Sequence, residues 1–205
     1  MSIYQESMRN IFNRTSLGLL LLLLICVACR EQKSSTQLER AYAALEGSHI
    51  TFPDDMQLTY EGKDTVINHH SDANFKLVIY RDSLSCNQCY VETFSDWEKL
   101  INEYDSCFNK KLDFVFILSP LSKNEEDLRL NILGMEFKHP IYFDRKGSFQ
   151  KANPQIPRMP MLQVFLLDKN NQVIMIGDPL ANKGINQLLR KKVQPARDNP
   201  IRYNV

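Results

Sequence analysis

The chain has 205 residues, 43% of them hydrophobic, with 25 basic and 24 acidic side chains giving a formal net charge of +1. That length suits one domain with appendages, and that apolar fraction excludes wholesale disorder. The near-neutral balance leaves no basic excess to neutralise a phosphate backbone, which argues against nucleic acid as a partner.

In chain order, Arg9 and Arg14 precede an apolar run from Leu17 to Cys29, and Arg30 and Glu31 follow it. A helix needs about 20 apolar residues to cross a hydrocarbon core, so this run is short for a span. Basic, then apolar, then small residues is the order of a secretory signal peptide. Its end, Cys26-Val27-Ala28-Cys29, resembles the lipobox of bacterial lipoproteins. Ala28 takes the small position and Cys29 the acylated one, while Cys26 stands where leucine is usual. The resemblance implies a lipoprotein signal peptide over 1–28 and lipidation of Cys29, which with a polar tether fills 29–40. The protein would then face the periplasm from a lipid anchor in the inner or the outer membrane of a bacterial cell envelope.

The expected domain covers 41–194, with an N-terminal strand extension, and a loose tail covers 195–205. Residues 41–74 are weakly patterned and predict one or two strands of a leading hairpin. Phe75 to Tyr80, FKLVIY, is a buried strand, and Leu112 to Pro120, LDFVFILSP, is another. Between them Val91, Phe94, Trp97, Leu100, Ile101 and Tyr104 recur at three-and-four spacing, which predicts an amphipathic helix over about 88–104. A helix over about 124–133, a strand over 139–144 and a short helix at GSFQKAN follow. Residues 161–168 and QVIMIG form a strand pair around Asn170-Asn171, and 182–193 forms the closing helix. Alternating strands and helices, ending in a hairpin, predict an α/β fold: a parallel core finished by an antiparallel pair.

Removing Cys26 and Cys29 leaves Cys86, Cys89 and Cys107, an odd number that argues against a purely structural disulfide framework. An exported compartment is oxidising, so a close pair there forms a disulfide unless something keeps it reduced. Cys86 falls between a buried strand and a helix. The free N–H groups and dipole of a helix start stabilise a thiolate, which is the attacking species in disulfide exchange. Cys89, three residues further on, is placed to form or resolve the bond. Glu92 lies three residues beyond Cys89, on the same face of a helix, where a carboxylate could move a proton to or from the resolving thiol. Pro160 has no N–H and could hold the chain in a cis turn, leaving the backbone of Met159 to pair with a substrate strand. Cys107 reads as a buried small hydrophobe, and the histidines as surface residues.

Cys86-Asn87-Gln88-Cys89 after FKLVIY, Glu92, and Met159-Pro160-Met161 together resemble the thioredoxin superfamily, and within it the TlpA-like and ResA-like membrane-anchored thiol–disulfide oxidoreductases. The resemblance covers roughly residues 70 to 193. It implies a thioredoxin-like fold with a central mixed sheet flanked by helices. It also implies an inserted strand–helix unit between Pro120 and Asp144, as in TlpA-like and peroxiredoxin-like proteins. The redox centre would be a Cys86–Cys89 disulfide, with Cys86 as attacker, Cys89 as resolver, Glu92 assisting, and Met159 and Pro160 binding substrate. No cofactor or metal is implied beyond the dithiol. The partners would be exported protein thiols and disulfides, with a membrane thiol carrier as a possible electron donor. Ser85 departs from the tryptophan usual before the first cysteine, and no proline follows Glu92 after one residue. Other readings remain open: a non-enzymatic binding lipoprotein with a structural disulfide, a thiol peroxidase, a copper carrier, or half of a zinc site.

Overall fold

The computed structural model describes residues 36–65, 73–84, 90–108 and 111–194. The chain divides into two units, 1–43 and 44–205. Of the first, residues 36–43 are helical, and 36–40 of these fall in the segment expected to be a tether. Cys29, its expected lipidation and the tail over 195–205 lie outside the described residues. No described helix is long and apolar enough to cross a membrane.

The second unit is built on a seven-stranded mixed sheet. Its strands are β1 (Gln57–Tyr60), β2 (Lys63–Asp64), β3 (Phe75–Arg81), β4 (Leu112–Leu118), β5 (Ile141–Phe143), β6 (Val164–Leu167) and β7 (Val173–Ile176). Across the sheet they run β2-β1-β5-β4-β3-β6-β7. β5, β4 and β3 are mutually parallel, and antiparallel pairs close both sides. The helices are α1 (Phe94–Phe108), α2 (Glu125–Gly134), α3 (Ser148–Ala152) and α4 (Lys183–Val193). β3-α1-β4 followed by β6-β7-α4 is the thioredoxin-like arrangement, and α2 with β5 is the inserted unit, pairing β5 onto β4.

Period-two alternation decides which face each strand residue serves. Leu77 and Ile79, Phe114 and Phe116, and Val164 and Leu166 join one cluster with Trp97 and Ile101 of α1, Ile132 of α2 and Leu189 of α4. Trp97 stands edge-on to Phe116, with ring centroids 5.9 Å apart. The intervening residues turn to the other face, where Tyr80 meets Phe149 of α3 at 5.0 Å. Burying one aromatic side chain of this size is worth about 1.5–3 kcal/mol, so these two layers outweigh any cap or surface pair.

Local chemistry sets the element ends. Glu61 and Gly62 both have positive φ, as a two-residue hairpin turn between β1 and β2 requires. A Cβ on Gly62 would also stand 2.7 Å from the Arg129 carbonyl oxygen, so glycine is doubly selected there. Asn182 caps α4 by accepting hydrogen bonds from the N–H groups of Gly184 and Ile185, and Arg190, Lys191 and Lys192 oppose the dipole at its other end.

Two elements differ from the sequence reading. Residues 161–163 are not strand: Pro160–Leu162 forms a 3-10 turn and β6 begins at Val164. The amphipathic helix is interrupted as well. Tyr90 and Val91 are helical, Glu92 and Thr93 form a turn, and α1 starts only at Phe94. Thr93 explains the break: its hydroxyl donates back to the Tyr90 carbonyl, while its own carbonyl accepts from Asp96 and Trp97.

Candidate functional site

β3 is an interior strand, held between β4 and β6, and its carboxyl end leads into the segment that carries the cysteine pair. Asp82 is buried, and one of its carboxylate oxygens accepts the Leu84 N–H at 3.1 Å, which turns the chain outward. Leu84 is 72% exposed. Ser85, Cys86, Asn87, Gln88 and Cys89, with the expected Cys86–Cys89 disulfide, lie outside the described residues.

The chain is described again at Tyr90, and its placement there is specific. Arg81, the last residue of β3, is 7% exposed and carries its guanidinium 3.9 Å from the Tyr90 ring centroid. The same guanidinium donates to the Tyr80 carbonyl oxygen and pairs with Asp178, beyond β7, at 3.7 Å. Burial pushes the Tyr90 phenol pKa upward, and the nearby Arg81 charge works against that. A buried cation is tolerable here because an aromatic face, a carbonyl and a carboxylate share it. Sequence reasoning missed this arrangement. The available signal was a charged pair, Arg81-Asp82, ending an otherwise apolar run.

The Pro160 turn runs beside the same strand end. Gln163 accepts the Tyr80 N–H at 2.9 Å, and Val164 pairs with Ile79. The expected cis bond is absent: the Met159–Pro160 peptide is trans. Proline fixes φ near the helical value and lacks an N–H, which suits the first position of a helical turn. Pro160 occupies that position, with Met159 extended before it. The Met159 carbonyl accepts from Leu162, so it is less free for a visiting strand than expected. Met161 is 60% exposed beside it.

Glu92 is exposed and sits in the turn before α1, while Cys89, with which it was expected to share a helical face, lies outside the described residues. With Val91 it lines a groove of about 390 Å³ completed by Leu130, Asn131, Gly134 and Met135 of the α2 end.

Two further expectations are overturned. Cys107 is exposed in the last turn of α1, where the buried stripe passes through Tyr104 and Phe108 instead. His139 is half-buried, its ring 5.2 Å from that of Phe137, and burial lowers its pKa against the opposing pull of Glu98, Asp105 and Asp113. Among the described residues, no group of three or more His, Cys, Asp or Glu side chains is placed to hold a metal ion.

No family model and no curated protein matches the chain. Solved structures do show likenesses. A thioredoxin-like protein in its oxidised form is 16% identical at TM-score 0.47, the match covering 72% of this chain and 97% of that one. The thioredoxin domain of a thiol–disulfide oxidoreductase from Bacteroides vulgatus is 12% identical at TM-score 0.49, covering 73% and 98%. A protein from Chlorobium tepidum described as the thiol:disulfide interchange protein DsbE is 16% identical at TM-score 0.49, again covering 73% and 98%. All three TM-scores lie below 0.5.

Proposed function

We propose that this protein is an exported, lipid-anchored thiol–disulfide oxidoreductase that exchanges disulfides with proteins of the bacterial cell envelope. One observation carries the reading: the sequence Cys86-Asn87-Gln88-Cys89 begins a short loop's length beyond the carboxyl end of the interior strand β3, with the Pro160 turn hydrogen-bonded alongside that strand end. In the proposed cycle the Cys86 thiolate attacks a substrate disulfide, giving a mixed disulfide and a released substrate thiol. The Cys89 thiolate then displaces the second substrate sulfur, leaving a Cys86–Cys89 disulfide and a substrate reduced by two electrons. Glu92 accepts the proton that Cys89 must lose. The extended backbone at Met159, with Pro160 behind it, receives the substrate chain. A membrane thiol carrier returns the electrons, and Cys29 holds the domain near it.

The test is insulin reduction with dithiothreitol as electron source. Cys86→Ala should abolish turnover, and Cys89→Ala should accumulate a mixed disulfide with substrate. Glu92→Gln should slow resolution by about tenfold, less than the roughly hundredfold or more usual for general-base loss because the carboxylate is exposed. Equal turnover by native chain and Cys86→Ala would sink the reading. A reduction potential well below about −300 mV would instead mark a structural disulfide.

A further inference from the structure

In open α/β sheets, ligands bind in the crevice outside the carboxyl ends of parallel strands. Here that crevice contains a cavity of about 300 Å³, walled by Asp82 and Ser83 after β3, Ser119 and Leu121 after β4, and Asp144 after β5. This volume sits at the small end of ligand pockets, which begin at about 300 Å³.

The charges on its walls are unequal. Arg145, Lys146, Lys151 and Arg158 face Asp82 and Asp144. Both carboxylates are buried and engaged. Asp144 accepts from the N–H groups of Ser148 and Phe149 and from the Ser119 hydroxyl, and Asp82 accepts from Leu84. Arg145 is paired with Glu125 and Asp64, and Lys146 with Asp55. Lys151 and Arg158 are exposed; Lys151 donates to the Lys146 carbonyl oxygen at 2.7 Å, but neither cation has a carboxylate partner among the described residues, so two positive charges are left to attract an anion. Gln150 adds a second requirement. Its amide nitrogen donates to the carbonyls of Asn153 and Ile156, which fixes the amide orientation, while its amide oxygen is buried with no hydrogen bond. A bare carboxylate gives that oxygen nothing; a ligand that also carries an N–H satisfies both.

We infer that this cavity seats a small peptidic carboxylate, and that the dithiol therefore acts on low-molecular-weight anionic disulfides. The inference rests on the thiol–disulfide reading, since Ser83 of the cavity wall precedes Cys86 by three residues. Arg158 and Lys151 hold the ligand carboxylate. The Cys86 thiolate attacks one ligand sulfur and releases the other half as a thiolate. The Cys89 thiolate then expels the first half, so the ligand takes up two electrons and the protein becomes the disulfide.

The experiment compares two disulfides reduced by the pre-reduced full chain: glutathione disulfide, with carboxylates and peptide N–H groups, and cystamine, which is cationic. Each rate is normalised to that of dithiothreitol. Glutathione disulfide should react at least tenfold faster at low ionic strength, and Arg158→Gln combined with Lys151→Gln should remove the preference while Arg158→Lys keeps part of it. S-methylglutathione, which cannot exchange, should shift the amide resonances of Ser83, Leu121, Gly147 and Gln150 in the native chain but not in the double variant. Turnover of both disulfides without those shifts or that preference overturns the cavity assignment and leaves the redox reading intact. Shifts without turnover of either disulfide overturn the exchange step and leave a carboxylate-binding cavity.

Discussion

Arg81 lies against the face of Tyr90 with 3.9 Å between guanidinium carbon and ring centroid, which ties the end of β3 to the residue directly after Cys89. Asp178 completes the contact from the far side of the hairpin. Only 8% of the Arg81 side chain and 19% of that of Asp178 are exposed, so solvent screens this pair weakly. Arg81→Met keeps the apolar stem and removes both the cation–π contact and the ion pair. It should cost about 2–3 kcal/mol, less than for a fully buried pair because Asp178 retains some water. Urea denaturation measures this; a loss under about 0.5 kcal/mol would mean that the stack supports nothing.

Cys107 gives a sharper contrast between expectation and structure. A buried cysteine replaced by serine leaves a hydroxyl to desolvate, at about 1–3 kcal/mol. Cys107 is exposed, so Cys107→Ser should change stability by less than about 0.5 kcal/mol. The thiol should also react with an aromatic disulfide reagent in the folded chain, without denaturant. Slow labelling that waits on unfolding would return Cys107 to the core.

The order of elements was legible because the strands carry continuous apolar runs and the helices carry a helical period. FKLVIY and LDFVFILSP differ from the observed strands by at most two residues at an end. What the sequence hid were competitions settled by tertiary structure or side-chain chemistry. Thr93 falls inside a convincing apolar periodicity, yet its hydroxyl and carbonyl end one helical turn and begin the next. Met161 and Leu162 read as the start of a strand, but Pro160 opens a turn that delays pairing until Val164. At the candidate site the cysteines and Glu92 could be named from spacing, and Pro160 from the family resemblance. Arg81, Asp178 and Arg158 could not, because they meet the site from separate strands and loops.

Acid sensitivity should centre on Glu125. Its hydrogen bond to Arg145, with Arg129 adding to it, holds the carboxyl below its usual range despite burial. A carboxyl lowered in the folded state contributes stability that is complete above the unfolded value, about 4.5, and is lost as pH falls through the folded value. Glu125→Gln should therefore cost about 1 kcal/mol at pH 7 and little at pH 3, and 1 M salt should shrink the difference. Asp64 shares both arginines, so the native chain should still lose some stability in acid after the substitution. Urea midpoints at the two pH values decide it; an equal cost at both would show that packing, not charge, holds Glu125.

His139 should set a separate step nearer neutrality. Burial beside Phe137 lowers its folded-state pKa below the unfolded 6.5, and the acidic residues Glu98, Asp105 and Asp113 recover only part of the shift. The unfolded chain therefore binds this proton more readily than the folded one. Stability from neutral His139 is complete above about pH 6.5 and falls as pH drops toward the folded value, the opposite sense to a histidine that gains an anionic partner. Between pH 7.5 and 5.5, above the range where Glu125 titrates, the native chain should lose stability and His139→Gln should lose much less. Chemical denaturation across that interval, in the reduced chain so that the cysteine pair stays constant, separates the two. A native chain whose stability rises as pH falls would show that the carboxylates, rather than burial, govern this imidazole.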